Sequence, residues 1–263
     1  MARRSYIAGA NCAIRIVRPM TRRGRTPPRP TSRAPAPALD FASWIVWRDA
    51  HLVAVDKPAG VLSQGGEGGA GVNLVDLARA HFAATSPRSG IGVLHRLDRN
   101  VSGVVLLALD PEAARGLSEQ LAKGEVEREY VAIVRGTPPG ETFVVDAPLA
   151  KDARTNEVRV ADDGKPARTD VQVVSRFRAP LGACAELVVR PITGRSHQIR
   201  VHLAHVGLPI IGDPKYGVAA HGVRRPLLHA RRMRFVHPIT HEPIEIVAPP
   251  PWRADALRAL RRS

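Results

Sequence analysis

Residues 95–110 read His95-Arg-Leu-Asp-Arg-Asn-Val-Ser-Gly-Val-Val-Leu-Leu-Ala-Leu-Asp110, with several polar side chains directly before an uninterrupted apolar run. The run over residues 104–109 is short and rich in branched residues, as is typical of a β-strand that is covered on both faces. The pair Ser102-Gly103 is predicted to form the turn that leads into this strand. Asp98 is therefore expected at the mouth of a rigid, buried strand. Taken alone, the charged residues would also fit a surface ion-pair cluster in a loop.

A second informative segment, residues 191–217, predicts a turn, a short helix and a loop. Ser196 is expected to cap the helix, and the apolar positions that follow at helical spacing are Ile199, Leu203 and Val206. Arg200 lies one turn into this helix beside an apolar position, so its side chain can point into a cleft. A third segment, residues 128–136, predicts a strand with Tyr130 near its start and Gly136 at its end.

The remaining pattern favours an α+β fold with a mixed, mainly antiparallel sheet and flanking helices, because strands and helices do not alternate regularly. The other predicted strands are residues 45–47, 52–55, 143–145, 158–160, 169–176 and 183–189. The other predicted helices are residues 74–82 and 112–121, the second with Pro111 at its first position. The glycine-rich residues 64–71 lack the Gly-Lys-Ser/Thr ending of a phosphate loop and predict a flexible loop.

Composition narrows the class of protein. The chain has 263 residues, of which 44% are hydrophobic, and this is enough for one substantial core. No apolar run approaches the roughly twenty residues needed to span a bilayer, so we expect a soluble protein. Cys12 and Cys184 are the only cysteines, which argues against a disulfide scaffold or a zinc site and suits the reducing cytoplasm. Cys184 is expected to pack in the core.

The formal net charge of +15 is concentrated near the start of the sequence. Residues 1–39 contain nine arginines and no Asp, Glu or Lys, and their composition predicts a disordered, basic Arg/Pro-rich tail over residues 1–40. Such a tail would add salt-sensitive RNA affinity by neutralising phosphates. A non-functional extension from a start codon assigned too far upstream, and an organellar transit peptide, remain alternatives. Residues 41–263 are expected to form the folded domain.

Together, these motifs resemble those of the RluA-type RNA pseudouridine synthases of the RsuA/RluA superfamily, whose signature comprises an HRLD motif, a strand with a tyrosine and a GRxHQIRVH helix. Further matching segments are residues 55–61, 212–217, 228–230 and 235–238, so the resemblance covers about residues 41–250. Two features depart from the pattern: Val101 stands where the family usually has Thr, and no S4 RNA-binding module fits before residue 41. The resemblance implies a pseudouridine synthase fold with a catalytic cleft in residues 41–263.

The resemblance also implies a reaction and its residues. The enzyme would isomerise specific uridines in a ribosomal or transfer RNA stem-loop, breaking the C1′–N1 bond and rejoining through C5 without a cofactor. Asp98 is implied as the nucleophile, because one carboxylate suffices where a glycoside hydrolase usually needs two. Arg200 would keep Asp98 ionised. Tyr130 would stack on the flipped uracil, and Arg96 would occupy the gap that the flipped base leaves.

Several other polar residues are expected to face RNA. Arg195 and Lys215 are predicted phosphate contacts, although a solvated basic face explains them equally well. His197 and His202 are expected to form hydrogen bonds with the backbone or with RNA. The spacing of these two histidines and His205 lacks the HExxH arrangement, so no metal site is predicted.

Two other functions can be weighed from the sequence. The first is a catalytically inactive RNA-binding or ribosome-assembly protein on the same fold, against which the intact Asp98, Tyr130 and Arg200 argue. The second is a hydrolase that uses Asp98 as its nucleophile and releases free uracil, and no motif indicates it. A monomer with no membrane partner is expected.

Overall fold

The computed structural model of the protein describes residues 40–65, 72–83 and 91–252. The predicted tail, apart from Asp40, and most of the predicted glycine-rich loop lie outside the described residues. Phe41–Trp44 form a short 3-10 helix at the start of the domain.

Most of the described chain forms a ten-stranded mixed sheet. Its strands are β1 (Ile45–Arg48), β2 (Leu52–Lys57), β3 (Gly92–Val93), β4 (Ser102–Ala108), β5 (Glu127–Arg135), β6 (Thr142–Asp146), β9 (Arg168–Ala179), β10 (Gly182–Pro191), β11 (Leu228–Val236) and β12 (Pro243–Val247), while β7 (Leu149–Lys151) and β8 (Val158–Val160) form a separate pair. The strand order is β1-β2-β4-β11-β5-β10-β9-β6, with β12 beside β11 and β3 beside β4. Among these pairings only β4 with β11 is parallel, so the predicted mainly antiparallel α+β fold is confirmed.

Three α-helices accompany the sheet in the described ranges: α1 (Leu74–Phe82), α2 (Pro111–Lys123) and α3 (Gln198–His205). Asn73 caps α1 by accepting a hydrogen bond from the backbone of Asp76. Asp110 caps α2 in the same manner, and Pro111 occupies the first helical position as predicted. The first two helices therefore follow from local sequence signals.

Strand β4 lies at the centre of the core, and every residue in it is buried. Alternate side chains pack on opposite faces of the sheet: Val105 and Leu107 belong to the larger core cluster, and Val104 and Leu106 to the cluster that includes α2 residues. The prediction of a strand covered on both faces is thus confirmed. Cys184 is also buried in a core cluster, as expected.

The predicted turn at Ser102-Gly103 is wrong, because both residues already belong to β4. Gly103 has a φ of 119°, and a Cβ built on it would lie 2.3 Å from the carbonyl oxygen of Ala230 on the parallel neighbour β11. The glycine therefore serves the close approach of two backbones rather than a chain reversal.

The predicted start of α3 is also wrong. The helix begins at Gln198 with His197 as its N-cap residue, and Ser196 does not cap it. The Gln198 side chain instead accepts hydrogen bonds from the backbone of Arg195 and the hydroxyl of Thr193, so it organises the turn before the helix. Ile199 and Leu203 are buried as predicted, whereas Val206 lies beyond the helix end and is 38% exposed.

Candidate active site

Asp98 lies in the loop between β3 and β4, and this loop is tied to the turn that follows β2. The backbone N–H of Gly60 donates to the carbonyl oxygen of Arg99 at 2.7 Å, and the Arg99 Nε donates back to the Gly60 carbonyl at 3.0 Å. The backbone N–H of Val101 donates to the Asp98 carbonyl at 3.1 Å. The Asp98 side chain is 30% exposed, so a fixed loop presents a carboxylate that a ligand can reach.

Arg200 joins two carboxylates inside the domain. Its Nη1 donates to Asp98 Oδ2 at 2.6 Å, while its Nε and Nη2 donate to the two carboxylate oxygens of Asp213, each at 2.7 Å. Burial alone would lower the pKa of Arg200, but the hydrogen bonds and charge of Asp213, together with Asp98, outweigh burial and raise it. Arg200 therefore remains a cation beside Asp98 and leaves the other oxygen, Oδ1, outside this ion pair.

Asp213 was missed as a site residue by the sequence reasoning. Its side chain is fully buried, and it accepts two further hydrogen bonds from the backbone N–H groups of Lys215 and Tyr216. Burial would raise the pKa of Asp213, but the hydrogen bonds and charge of Arg200 and the backbone donors lower it. A signal in the sequence could have identified Asp213, because it is a carboxylate in the segment 212–217 that matches the family. A buried arginine on a helix needs such a carboxylate partner.

Lys57 is a second residue that the sequence reasoning did not assign. It is fully buried at the end of β2, and its Nζ donates to the carbonyl oxygens of Pro58, Val61 and Arg99. Burial lowers the pKa of Lys57 from 10.5 to about 8, although the negative charge of Asp98 opposes this shift. The buried ammonium group thus cross-links the turn after β2 to the loop that carries Asp98.

Tyr130 lies on β5, half-buried against the larger core cluster, in register with Val189 on one side and Ala230 on the other. Burial raises the pKa of its phenol, and the charge of Asp98 raises it further, whereas Arg128 lowers it. The Nη2 of Arg128 donates to the carbonyl oxygens of Pro191 and Thr193. The start of β5 is therefore bonded to the segment that leads into α3.

His197 lies between Asp98 and Tyr216. Its Nε2 is 3.9 Å from Asp98 Oδ1, and its Nδ1 is 2.8 Å from the Tyr216 hydroxyl. The structure thus brings the predicted residues Asp98, Arg200 and His197 together in direct proximity. Tyr216, which the sequence reasoning did not assign, also lies under the Arg200 guanidinium, which is 5.0 Å from the centre of its ring.

The remaining predicted RNA contacts are exposed side chains. Arg96 lies in the same loop as Asp98 and is exposed. Arg195 precedes α3, and its Nε donates to the carbonyl oxygen of Pro166 at 3.0 Å. Lys215 lies beside Tyr216, and its Nζ donates to the Asn156 carbonyl at 2.7 Å. These three residues lie on the segments around Asp98, and they are not part of the ion pair between Asp98 and Arg200.

The other histidines of the predicted motifs have structural partners. His95 Nε2 accepts a hydrogen bond from the backbone N–H of Leu106, and burial lowers the pKa of His95 to about 4. His202 is fully buried between the Thr169 hydroxyl and the Ala147 carbonyl, so the expected backbone hydrogen bond is present. Within residues 40–65, 72–83 and 91–252, no group of three or more His, Cys, Asp or Glu residues could hold a metal ion.

This arrangement suits nucleophilic chemistry on a large, polar ligand. The Asp98 carboxylate forms an ion pair with Arg200 through one oxygen, and its second oxygen is available to a ligand. The exposed cations nearby favour an anionic ligand such as a nucleic acid backbone. None of the helices in the described part of the chain is long and apolar enough to cross a membrane.

Known proteins share sequence with this chain. The family model described as RNA pseudouridylate synthase matches residues 51–205, which include Asp98, Tyr130 and Arg200. The chain is 39% identical over 236 residues to the ribosomal large subunit pseudouridine synthase D of Xanthomonas campestris pv. campestris, covering 83% of this chain and 69% of that protein. It is 35% identical over 252 residues to the ribosomal large subunit pseudouridine synthase C of Vibrio vulnificus, covering 93% and 77%.

The fold of this chain is also similar to that of solved structures. The structure titled human RNA Pseudouridylate Synthase Domain Containing 1 superposes with a TM-score of 0.65 at 25% sequence identity, covering 78% of this chain and 82% of that one. The structure titled human RNA Pseudouridylate Synthase Domain Containing 4 has the same TM-score at 24% identity, covering 81% and 90%.

Proposed function

Since the chain belongs to the RNA pseudouridylate synthase family, and within it to the RluA type, we propose that it converts uridine to pseudouridine in ribosomal RNA of the large subunit. The chain is an RNA pseudouridine synthase, and the names of its relatives support ribosomal RNA as the substrate ahead of transfer RNA. The modified stem-loop, the monomeric state and a cytoplasmic location stay predictions.

The observation that carries the catalytic proposal is the asymmetric pairing of Asp98. One oxygen, Oδ2, accepts the 2.6 Å hydrogen bond from Arg200, and the side chain remains 30% exposed. A carboxylate positioned in this manner can attack C1′ of a uridine while the C1′–N1 bond breaks and uracil departs with the electron pair. After uracil turns, its C5 attacks C1′ and displaces the carboxylate, and the C5 proton is then lost while N1 regains one.

The other predicted residues expose the uridine to Asp98 or bind the RNA in this proposal. A stacked uridine is out of reach of a carboxylate in a loop, so the nucleotide must leave its stack. Tyr130 offers an aromatic face to the flipped uracil, and the exposed guanidinium of Arg96 can fill the vacated position. Arg195 and Lys215 would contact phosphates.

The proposal is tested by mapping pseudouridine across total RNA from cells with and without the gene. Loss of one or a few sites in large-subunit ribosomal RNA, restored by the wild-type gene and not by Asp98→Asn, is the expected result. Asp163→Asn is the matched control, because Asp163 is an exposed turn residue and the same charge is removed.

Each other outcome identifies a competing function. Restoration by Asp98→Asn would overturn the assignment of Asp98 as the nucleophile. Loss of sites in transfer RNA alone would overturn the assignment of ribosomal RNA as the substrate. An unchanged pseudouridine map, with purified protein that binds ribosomal RNA but does not modify it, would support the inactive RNA-binding alternative.

A further inference from the structure

His197 has a backbone conformation that L-residues rarely adopt. Its φ is 54° at the position just before α3, and its side chain forms no capping hydrogen bond there. A non-glycine residue held in this region costs roughly 1 kcal/mol or more and persists when the surrounding structure requires it. The strain therefore calls for an account of what His197 does beside Asp98.

The Tyr216 hydroxyl is the hydrogen-bond partner of His197 Nδ1. Its oxygen accepts a hydrogen bond from the backbone N–H of Val158 at 3.0 Å, and it lies 2.8 Å from His197 Nδ1. A phenol has one proton to donate, and among the described residues Nδ1 is the acceptor within its reach. Donation of this proton from Tyr216 to Nδ1 would leave the imidazole proton on Nε2.

The opposite nitrogen faces the nucleophile. Nε2 lies 3.9 Å from Asp98 Oδ1, the oxygen that Arg200 does not bind. A carboxylate oxygen favours an N–H rather than a lone pair in front of it, which supports the same tautomer independently. At 3.9 Å the two groups are too far apart for a direct hydrogen bond, so the N–H stays available to a ligand that occupies the site.

We propose that Tyr216 is a positioning residue that holds His197 as the neutral tautomer with its proton on Nε2, and that this N–H donates a hydrogen bond to an oxygen of the uridine bound at Asp98. The inference rests on the proposed function of Asp98. Tyr216 acts through His197, whereas His197 contacts the substrate.

The surrounding charges are compatible with a neutral imidazole. Burial lowers the pKa of His197, and the nearby cations Arg200 and Lys215 lower it further, whereas Asp98 and Asp213 oppose the shift. Neutrality matters for the reaction because an imidazolium in this position would pair with Asp98 Oδ1. That pairing would occupy the oxygen that has to attack C1′.

The tautomer can be measured without substrate. Nitrogen–proton NMR correlations of isotope-labelled protein distinguish the two neutral tautomers and the imidazolium, and loss of one signal set in His197→Asn assigns the residue. We expect a neutral His197 with its proton on Nε2 at neutral pH in the wild type, and protonation at a higher pH in Tyr216→Phe. A proton on Nδ1, or an imidazolium at neutral pH in the wild type, would overturn the proposal.

Single-turnover rates on an RNA substrate then test the role in the reaction. As the pH is lowered from about 8, the imidazolium of His197 should form at a higher pH in Tyr216→Phe than in the wild type, so the rate of the variant should fall first. The wild type should fall much less over the same range. Identical pH profiles for the two proteins would contradict the positioning role of Tyr216.

Substitution of His197 itself separates donation from backbone strain. His197→Asn retains an N–H donor and tolerates a positive φ, whereas His197→Gly tolerates the positive φ but has no donor, so His197→Asn should be the more active variant. His241→Asn is the matched control, since His241 has a φ of 60° and is exposed. Equal activity of the two His197 variants would refute donation to the substrate. An active Asp98→Asn would overturn the proposed function of Asp98. The NMR measurement does not depend on turnover, so it decides the tautomer of His197 in either case.

Discussion

Replacement of Asp213 by asparagine should destabilise the domain and disturb the nucleophile, although Asp213 does not face the substrate in our proposal. The substitution removes a fully buried charge and replaces one of the two carboxylate oxygens that accept from Arg200 at 2.7 Å with an amide N–H₂ group, which cannot accept. Breaking a buried ion pair costs about 3–5 kcal/mol. We expect about 3 kcal/mol here, at the low end of that range, because Arg200 keeps its bond to Asp98.

The free energy of unfolding is measured by urea denaturation at neutral pH, for Asp213→Asn and for the control Asp163→Asn. The control removes the same charge from an exposed turn, so its effect should stay within about 0.5 kcal/mol. A double-mutant cycle with Arg200→Gln should show a coupling energy above about 1.5 kcal/mol between the two residues.

The same variant should also be a slow enzyme. Arg200 keeps its bond to Asp98 but loses the bidentate partner that fixes its own position, so it holds Asp98 less precisely, and we expect a loss of at least about tenfold in the single-turnover rate. A destabilisation below about 1 kcal/mol, or additive effects in the cycle, would refute the reasoning that Asp213 and Arg200 act as a buried pair.

Two further predictions concern a glycine and a buried lysine. Gly103→Ala should lower the free energy of unfolding by more than about 4 kcal/mol in urea denaturation, or prevent folding, because the new Cβ would lie 2.3 Å from a backbone oxygen. Gly182→Ala is the control, since Gly182 has a similar positive φ but open space around it, and it should cost much less. Equal losses in the two variants would contradict the steric account. For Lys57, the native pKa of about 8 lies below the unfolded value of 10.5, so between these pH values the unfolded chain binds more protons and stability rises with pH. Relative to Lys57→Met, the wild type should gain up to about 3 kcal/mol across this window, and parallel pH curves for the two proteins would show that Lys57 is not desolvated as described.

Local patterns predicted most of the elements because burial and capping act over a few residues. The apolar run at residues 104–109 indicated a doubly covered strand, and Pro111 marked the start of a helix. The turn predicted at Ser102-Gly103 failed for a non-local reason. Gly103 is required because its backbone lies close to that of Ala230, which is far away in the chain. No pattern within residues 95–110 contains that information.

The sequence by itself determined the family through its motifs, and with it the candidate residues Asp98, Tyr130 and Arg200. Only the tertiary structure identified Asp213, Lys57 and Tyr216 as their partners, because hydrogen bonds and ion pairs between distant residues depend on how loops and strands meet. The same holds for the start of α3, where Ser196 had the right chemistry for a cap but contacts from other segments placed His197 there in a left-handed conformation. Residue type and spacing specify which groups are available, whereas packing decides which of them face one another.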